Sequence, residues 1–174
     1  MRTVLLMPCK QAAGSLPNGV LDALLKLDPQ PDLYVFCENN STDRTLKWLA
    51  DFPRPKEIIR LWFRDNALSS CRLPGELVAV VRDLLLQRAR QLEADFAILM
   101  DADIMVHTRD LIPRLTSRAG DIVGGLCRFP DGFIAATWYA PMPGRPERTI
   151  IRDQPPSGSR VCEEVASVGG AVCV

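Results

Sequence analysis

The chain has 174 residues, 47% hydrophobic and 24% charged, with 21 basic and 21 acidic side chains that cancel. That apolar share is enough to pack one domain and excludes wholesale disorder, while the balanced charge argues against a dedicated nucleic-acid binder, which carries a basic excess. No apolar run approaches the roughly 20 residues of a membrane-spanning helix, and Val4 to Met7 ahead of Pro8 is too short a run for a signal peptide.

Short β-rich apolar runs alternate with stretches of helical spacing, the pattern of βαβ units. Residues 3–7 form the first strand, stopped by Pro8. Val20, Leu21, Leu24, Leu25 and Leu27 give residues 19–27 a helical face, broken by Asp28-Pro29-Gln30-Pro31. Residues 33–37 are a second strand and 39–43 a polar turn. A helix carrying Leu46, Trp48 and Leu49 ends before Pro53, and residues 58–63 form a third strand. Residues 64–75 read as loop. The longest helix, 76–92, carries Leu77, Val80, Val81, Leu84, Leu85 and Ala89 on one face. Residues 96–100 are uninterruptedly apolar, as expected of a central strand buried on both faces.

A short helix at 111–115 and strands at 122–129 and 133–139 follow. Pro141, Pro143, Pro146, Pro155 and Pro156, with Gly144 and Gly158, make residues 141–160 a long loop of the functional or mobile kind. An apolar stretch, 165–174, carries Gly169-Gly170 and stops as a strand begins.

Six cysteines occur without a C-x-x-C pair, so zinc-finger spacing is absent. Cys37, Cys127 and Cys173 lie in apolar runs and read as small buried hydrophobes, with free thiols in a reducing compartment the expected state. With His107 as the sole histidine, Ser-His-Asp and Cys-His catalysis have little support. His107 itself reads as a surface residue opening the Thr108-Arg109-Asp110 turn. There is no G-x-G-x-x-G and no G-K-[ST], so the usual dinucleotide and phosphate-loop fingerprints are missing.

The sharpest feature is Met100-Asp101-Ala102-Asp103, where the most apolar strand ends. Ligands of open parallel sheets bind at the carboxyl ends of strands. In an extended chain the i and i+2 side chains share a side, so both acids are expected to face one site. Two adjacent acids repel unless a cation lies between them, and Mg²⁺ or Mn²⁺ is the natural one. Ala102 leaves room for a ligand near the backbone. A second feature is Cys37-Glu38-Asn39-Asn40-Ser41-Thr42-Asp43-Arg44-Thr45. Glu38 ends a strand, where an acid can accept a hydrogen bond from a base or ribose, and Thr42 or Asp43 is placed to cap the next helix.

Together these stretches resemble the nucleotide-sugar half of a GT-A glycosyltransferase. The likeness is to inverting family-2-like enzymes and to fungal α-mannosyltransferases of the capsule-associated or mannan-polymerase type. Val81-Arg82-Asp83-Leu84-Leu85, followed by Asp95-Phe96-Ala97-Ile98-Leu99-Met100-Asp101-Ala102-Asp103, is similar to a stretch those enzymes carry, although they usually have Asn where this chain has Asp83. The likeness covers residues 3–106 and resumes at Val168-Gly169-Gly170.

It implies a three-layer α/β sandwich, a mainly parallel sheet with helices on both faces (GT-A, Rossmann-like). Residues 1–174 are then one nucleotide-sugar-binding domain, C-terminally incomplete. It also implies roles. Pro8 lies beside the nucleotide, Glu38 contacts uridine or guanosine, and Asp43 lies near the same place. Arg82 lies near the donor phosphates, while Asp101 and Asp103 hold Mn²⁺ or Mg²⁺ against the diphosphate.

The reaction implied is metal-dependent transfer of a hexose from a UDP- or GDP-sugar to a hydroxyl of a glycan, lipid or protein, with no nucleic-acid partner. Glu163 and Glu164 are the late acids available as base, with Asp131 and Asp153 as remoter options. Trp138 and Tyr139 read either as sugar-stacking or as core aromatics. Residues 141–160 are expected to close over a bound donor. The chain as it stands reads as cytoplasmic, with a Golgi-lumenal fragment as the other option. The rival readings are a non-catalytic nucleotide-binding fragment or inactive relative, and a sugar-phosphate nucleotidyltransferase, which needs a glycine-rich loop where this chain has Pro8-Cys9-Lys10-Gln11-Ala12-Ala13-Gly14.

Overall fold

The computed structural model describes residues 1–63 and 76–117 and, beyond them, the backbone of short strands at 123–124, 127–128, 134–140, 147–151 and 172–173. The first apolar runs pair side by side, as buried backbone groups require. Strands β1 (Thr3–Cys9), β2 (Leu33–Asn39), β3 (Lys56–Leu61) and β4 (Phe96–Leu99) form a parallel sheet in the order β3-β2-β1-β4. Leu5 lies opposite Tyr34 on one side and Ile98 on the other.

β5 (Val123–Gly124) and β9 (Val172–Cys173) extend the sheet beyond β4. β9 runs antiparallel between the two, with Ile98 opposite Cys173. β6 (Cys127–Arg128), β7 (Ile134–Ala140) and β8 (Glu147–Ile151) form a separate antiparallel sheet.

Alternation along the strands divides the core. Leu5, Met7, Tyr34, Phe36, Ile98 and Met100 point to one face. Helices α1 (Leu21–Leu25), α2 (Thr45–Asp51) and α4 (Leu111–Thr116) bury Leu21, Leu24, Leu49, Ile112 and Leu115 there. Phe52 meets Tyr34 and Phe36 edge-on, with centroids 4.9 and 5.6 Å away. Val4, Leu6, Val35, Cys37, Ala97 and Leu99 point to the opposite face, covered by α3 (Glu76–Gln91). Its buried stripe, Val81, Leu85 and Ala89, follows the i, i+4, i+8 row of a helix. Each fully buried leucine or phenylalanine contributes roughly 1.5–3 kcal/mol. Helices therefore cover both faces of a mainly parallel sheet.

Several expectations need correction. Pro8 does not stop β1, which runs on to Cys9 with Pro8 opposite Cys37. The ladder to β4 ends at Leu6 opposite Leu99, so Pro8 lies where the strand is paired on one side only, a position proline tolerates. The expected helix at 19–27 starts later, because Gly19 takes φ +112°, which only glycine adopts without strain, and α1 begins at Leu21. β3 lies two residues earlier than its apolar run suggests. Val80 is 53% exposed, off the buried stripe of α3, and Trp48 is at the surface. The expected strand over 122–129 is divided into β5 and β6. Residues 141–160 are not wholly loop. β8 lies inside them, where Thr149, Ile150 and Ile151 supply β-branched side chains between the two proline clusters.

Candidate active site

The four parallel strands end at one edge of the sheet. From β1 the chain crosses to β2 on one side, while β4 lies on the other, so the carboxyl ends of β1 and β4 bracket a topological switch point, the usual ligand crevice of such sheets. A cavity of about 560 Å³ opens there. Pro8, Lys10 and Gln11 line it from β1, Asn39 from β2, Val78 and Arg82 from α3, and Asp101, Ala102 and Asp103 from β4.

The two acids reach this cavity by a turn and not by an extended strand. The Ile104 amide donates to the Asp101 carbonyl at 3.1 Å, closing the chain around Ala102 and Asp103. The i, i+2 argument for a common side therefore fails, although both residues line the cavity. Ala102 is buried, and its carbonyl accepts the Ser15 hydroxyl at 2.9 Å, which ties the turn to the segment after β1.

Arg82 Nη2 donates to both Asp101 oxygens at 2.7 Å, with each side chain about one-third exposed. The cation beside Asp101 is thus a guanidinium. Arg82 Nε is sealed from solvent and, among the described residues, has no hydrogen-bond partner. Asp103 is exposed and, among the described residues, makes no hydrogen bond or ion pair through its side chain. Asp83 faces away and accepts Gln87 Nε2 at 2.7 Å, so its difference from the usual Asn falls outside the cavity wall.

The Ser-Thr-Asp-x-Thr segment is hydrogen-bonded to the chain that follows β1. Gln11 Oε1 accepts the Thr42 amide at 2.9 Å, and Gln11 Nε2 donates to Thr42 Oγ1 at 2.9 Å. The Gln11 amide donates to Ser41 Oγ at 3.1 Å and the Ala12 amide to Thr45 Oγ1 at 2.7 Å. Asp43 accepts the Ala13 amide at 3.0 Å and the Thr45 amide at 2.9 Å. Loss of some solvent contact raises the Asp43 pKa, but hydrogen bonds from Thr45 and Ala13 outweigh it and hold the carboxyl below its ordinary value. These bonds fix Gln11 at φ +49°, an uncommon conformation for a residue with a side chain.

Glu38 is 3% exposed; its Oε1 accepts the Ser41 amide at 2.7 Å and its Oε2 lies 3.5 Å from Arg60 Nε. Glu38 and Asp43 are not among the residues lining the cavity.

Lys10, Gln11 and Ser15 were missed in the sequence. Their only local signal is their place just after a strand end, and the distant partners of Gln11 and Ser15 lie 30 to 87 residues away. His107 is exposed. Cys9 and Cys37 are free buried thiols. Burial, then the Glu38 charge, pushes Cys37 up to about 11; burial, then Cys37 and Glu38, pushes Cys9 higher, so neither is a nucleophile at neutral pH. Glu163, Glu164, Asp131, Asp153 and Gly169-Gly170 lie outside the described residues, as do the side chains of Trp138, Tyr139, Cys127 and Cys173.

For the divalent ion that the resemblance implies, the donor chemistry fits. Mg²⁺ and Mn²⁺ take hard oxygens, commonly one or two carboxylates, with phosphate and water completing the shell. Asp103 offers an uncommitted carboxylate, and Asp101 one that Arg82 already holds. Among the described residues no group of three His, Cys, Asp or Glu side chains gathers around a metal position.

The sequence matches no protein-family model and no curated protein. Solved structures do match. S. aureus TarS 1–349 in complex with UDP superposes with a TM-score of 0.53 and 17% identity, over 70% of this chain and 34% of that one. S. aureus TarS gives 0.51 and 17%, over 67% of this chain and 19% of that one. Glucosyl-3-phosphoglycerate synthase from Mycobacterium tuberculosis, in complex with Mn²⁺, UDP and phosphoglyceric acid, is more distant, at 0.43 and 16% over 67% and 38%. The chain spans about a third of the TarS 1–349 structure. The parallel sheet, its flanking helices and the TarS likeness define a GT-A, Rossmann-like fold. Among the described residues no helix is long and apolar enough to cross a membrane.

Proposed function

We propose that this chain is the donor-binding part of a metal-dependent glycosyltransferase. It takes a UDP- or GDP-hexose in the cavity above β1 and β4, for transfer to a hydroxyl of a glycan, lipid or protein. The observation that carries this reading is that Asp101 and Asp103, after β4, and Arg82, on α3, line one cavity at the switch point of a GT-A sheet. The likeness of the sequence to fungal α-mannosyltransferases makes a GDP-hexose the first donor to test, against the UDP of the TarS complex.

Asp103, with Asp101, would hold Mn²⁺ or Mg²⁺, and the bound ion supplies neutralisation of the departing diphosphate. Arg82 Nε–H donates to a phosphate oxygen, a charge-assisted bond for a group that otherwise has no acceptor. Lys10 adds a second positive charge at the mouth. Ala102 keeps the floor open, and Pro8 borders the nucleotide. The acceptor hydroxyl needs a carboxylate to take its proton, for which Glu163 and Glu164 stand as the sequence's candidates. Nucleotidyl transfer is less well supported. Its glycine-rich loop is replaced here by Lys10-Gln11-Ala12-Ala13, tied down by Ser41, Thr42, Asp43 and Thr45.

Calorimetry with UDP and GDP, with and without Mn²⁺, tests the assignment. Wild type should bind one nucleotide in a Mn²⁺-dependent way, and Asp103→Ala should weaken that by about tenfold or more, some 1.4 kcal/mol. Equal affinity in the variant would overturn the metal role, and binding of neither nucleotide would overturn the proposal. Donor hydrolysis then separates an enzyme from a non-catalytic relative that binds without turnover.

A further inference from the structure

Arg82 holds Asp101 in an unusual way. A guanidinium normally grips a carboxylate with two nitrogens in parallel. Here Nη2 alone spans both oxygens, at 2.7 Å each, and among the described residues Nε is left buried without an acceptor. A buried donor with no partner is costly, and its usual explanation is an acceptor that arrives from outside the protein. The cavity that Arg82 lines is where such an acceptor would enter.

The charges point the same way. Among the described residues lining the cavity, Asp101 and Asp103 are matched by Arg82 and Lys10, so these four groups cancel and offer a divalent cation little net attraction. Asp101, moreover, is already neutralised at contact distance.

We infer that Arg82 is a latch that makes divalent-cation binding conditional on the diphosphate, an inference that rests on the nucleotide-sugar reading of this cavity. With the cavity empty, the guanidinium occupies Asp101 and keeps a cation off it. A diphosphate brings negative charge and an oxygen for Nε–H. The guanidinium then turns to the phosphate, and Asp101 becomes available to the ion. By linkage, whatever the diphosphate does to the ion's affinity the ion does to the diphosphate's. Arg82 acts on the ion through Asp101 and is a positioning residue in that sense.

The test reads Mn²⁺ binding alone, by calorimetry and by the paramagnetic resonance of free Mn²⁺, on wild type, Arg82→Gln and Arg82→Lys. The latch predicts that Arg82→Gln binds Mn²⁺ without nucleotide about tenfold tighter than wild type, while Arg82→Lys, which keeps the charge, stays near wild type. Unchanged or weaker Mn²⁺ affinity in Arg82→Gln overturns it, as does equal behaviour of the two variants. If Arg82→Gln does not fold, Asp101→Asn and Asp103→Asn make the same separation in metal-free buffer. Releasing Arg82 by Asp101→Asn should tighten UDP or GDP binding more than Asp103→Asn does, and equal effects overturn the latch. Failure of the proposed function looks different: no nucleotide binds to any variant, with or without Mn²⁺.

Discussion

Ser15→Ala probes whether the acidic turn is held from outside itself. The Ser15 hydroxyl donates to the Ala102 carbonyl at 2.9 Å, across 87 residues of sequence, and Ala102 is 7% exposed. Removing the hydroxyl deletes one net hydrogen bond, about 1 kcal/mol, with an upper range of about 3 kcal/mol if the carbonyl is left dry. The turn keeps its own bond from the Ile104 amide to the Asp101 carbonyl, so the domain should stay folded. A loss of about 1 kcal/mol lowers the melting temperature by roughly 2–4 °C for a domain of this size. In urea the midpoint should fall with the slope unchanged, since no new surface is exposed. The same displacement loosens Asp101 and Asp103 together, so Mn²⁺-dependent nucleotide affinity should fall by about fivefold, the equivalent of 1 kcal/mol. A variant that matched wild type in both urea midpoint and nucleotide affinity would refute the view that Ser15 positions the acids.

Leu85→Ala should destabilise the domain by about 2–5 kcal/mol in urea unfolding, because Leu85 is fully buried between α3 and the sheet; a loss below about 1 kcal/mol would contradict that packing. Asp43 gives a pH dependence. Its carboxyl is held below the ordinary 3.8 in the folded state, so its contribution is fully present above that value and is lost as pH falls through the lower folded value. Asp110, lowered by the Thr108 hydroxyl and then by Arg114, fades in the same direction, so the reading must be the difference between wild type and Asp43→Asn. That difference should favour wild type at neutral pH and shrink in acid below 3.8; a difference that stayed constant or grew would reverse the assignment.

Much of the fold was legible because it rests on local pattern. The alternation of Leu5 and Met7 against Val4 and Leu6 is visible in the sequence, and it is this alternation that divides the core between the two sheet faces. The uninterrupted run at 96–100 announced a strand covered on both sides, and acids after such a strand stand out, so the place of Asp101 and Asp103 at the cavity was legible. The errors arise where tertiary partners decide. Val80 looks as apolar as Val81, but only the row Val81, Leu85, Ala89 meets the sheet. Glu38 is a different case: its part toward a ligand stays a proposal, and what no local pattern announces is that the Ser41 amide and Arg60 engage its carboxylate. Gln11 is an ordinary polar residue in sequence, and its importance lies in acceptors and donors some 30 residues away. Gly19 gave no warning that its φ would leave the helical region.

The core and the cavity are joined through α3. Val81, Leu85 and Ala89 clamp that helix to the sheet, and Arg82 follows Val81 directly. Packing of the stripe therefore sets where the guanidinium meets β4, with no separate device to aim it. On the other wall, the Ser-Thr-Asp-x-Thr segment pins the chain after β1, and Ser15 in that chain pins Ala102. The acidic turn is thus held between two supports, one apolar and one hydrogen-bonded, and both include side chains that also line the cavity, Val81 on one wall and Ser15 on the other. Lys10 and Asp103 line the same cavity and take no part in that frame, so substitutions there should change what the cavity binds with little effect on the fold, whereas Ser15 and Val81 substitutions should affect both.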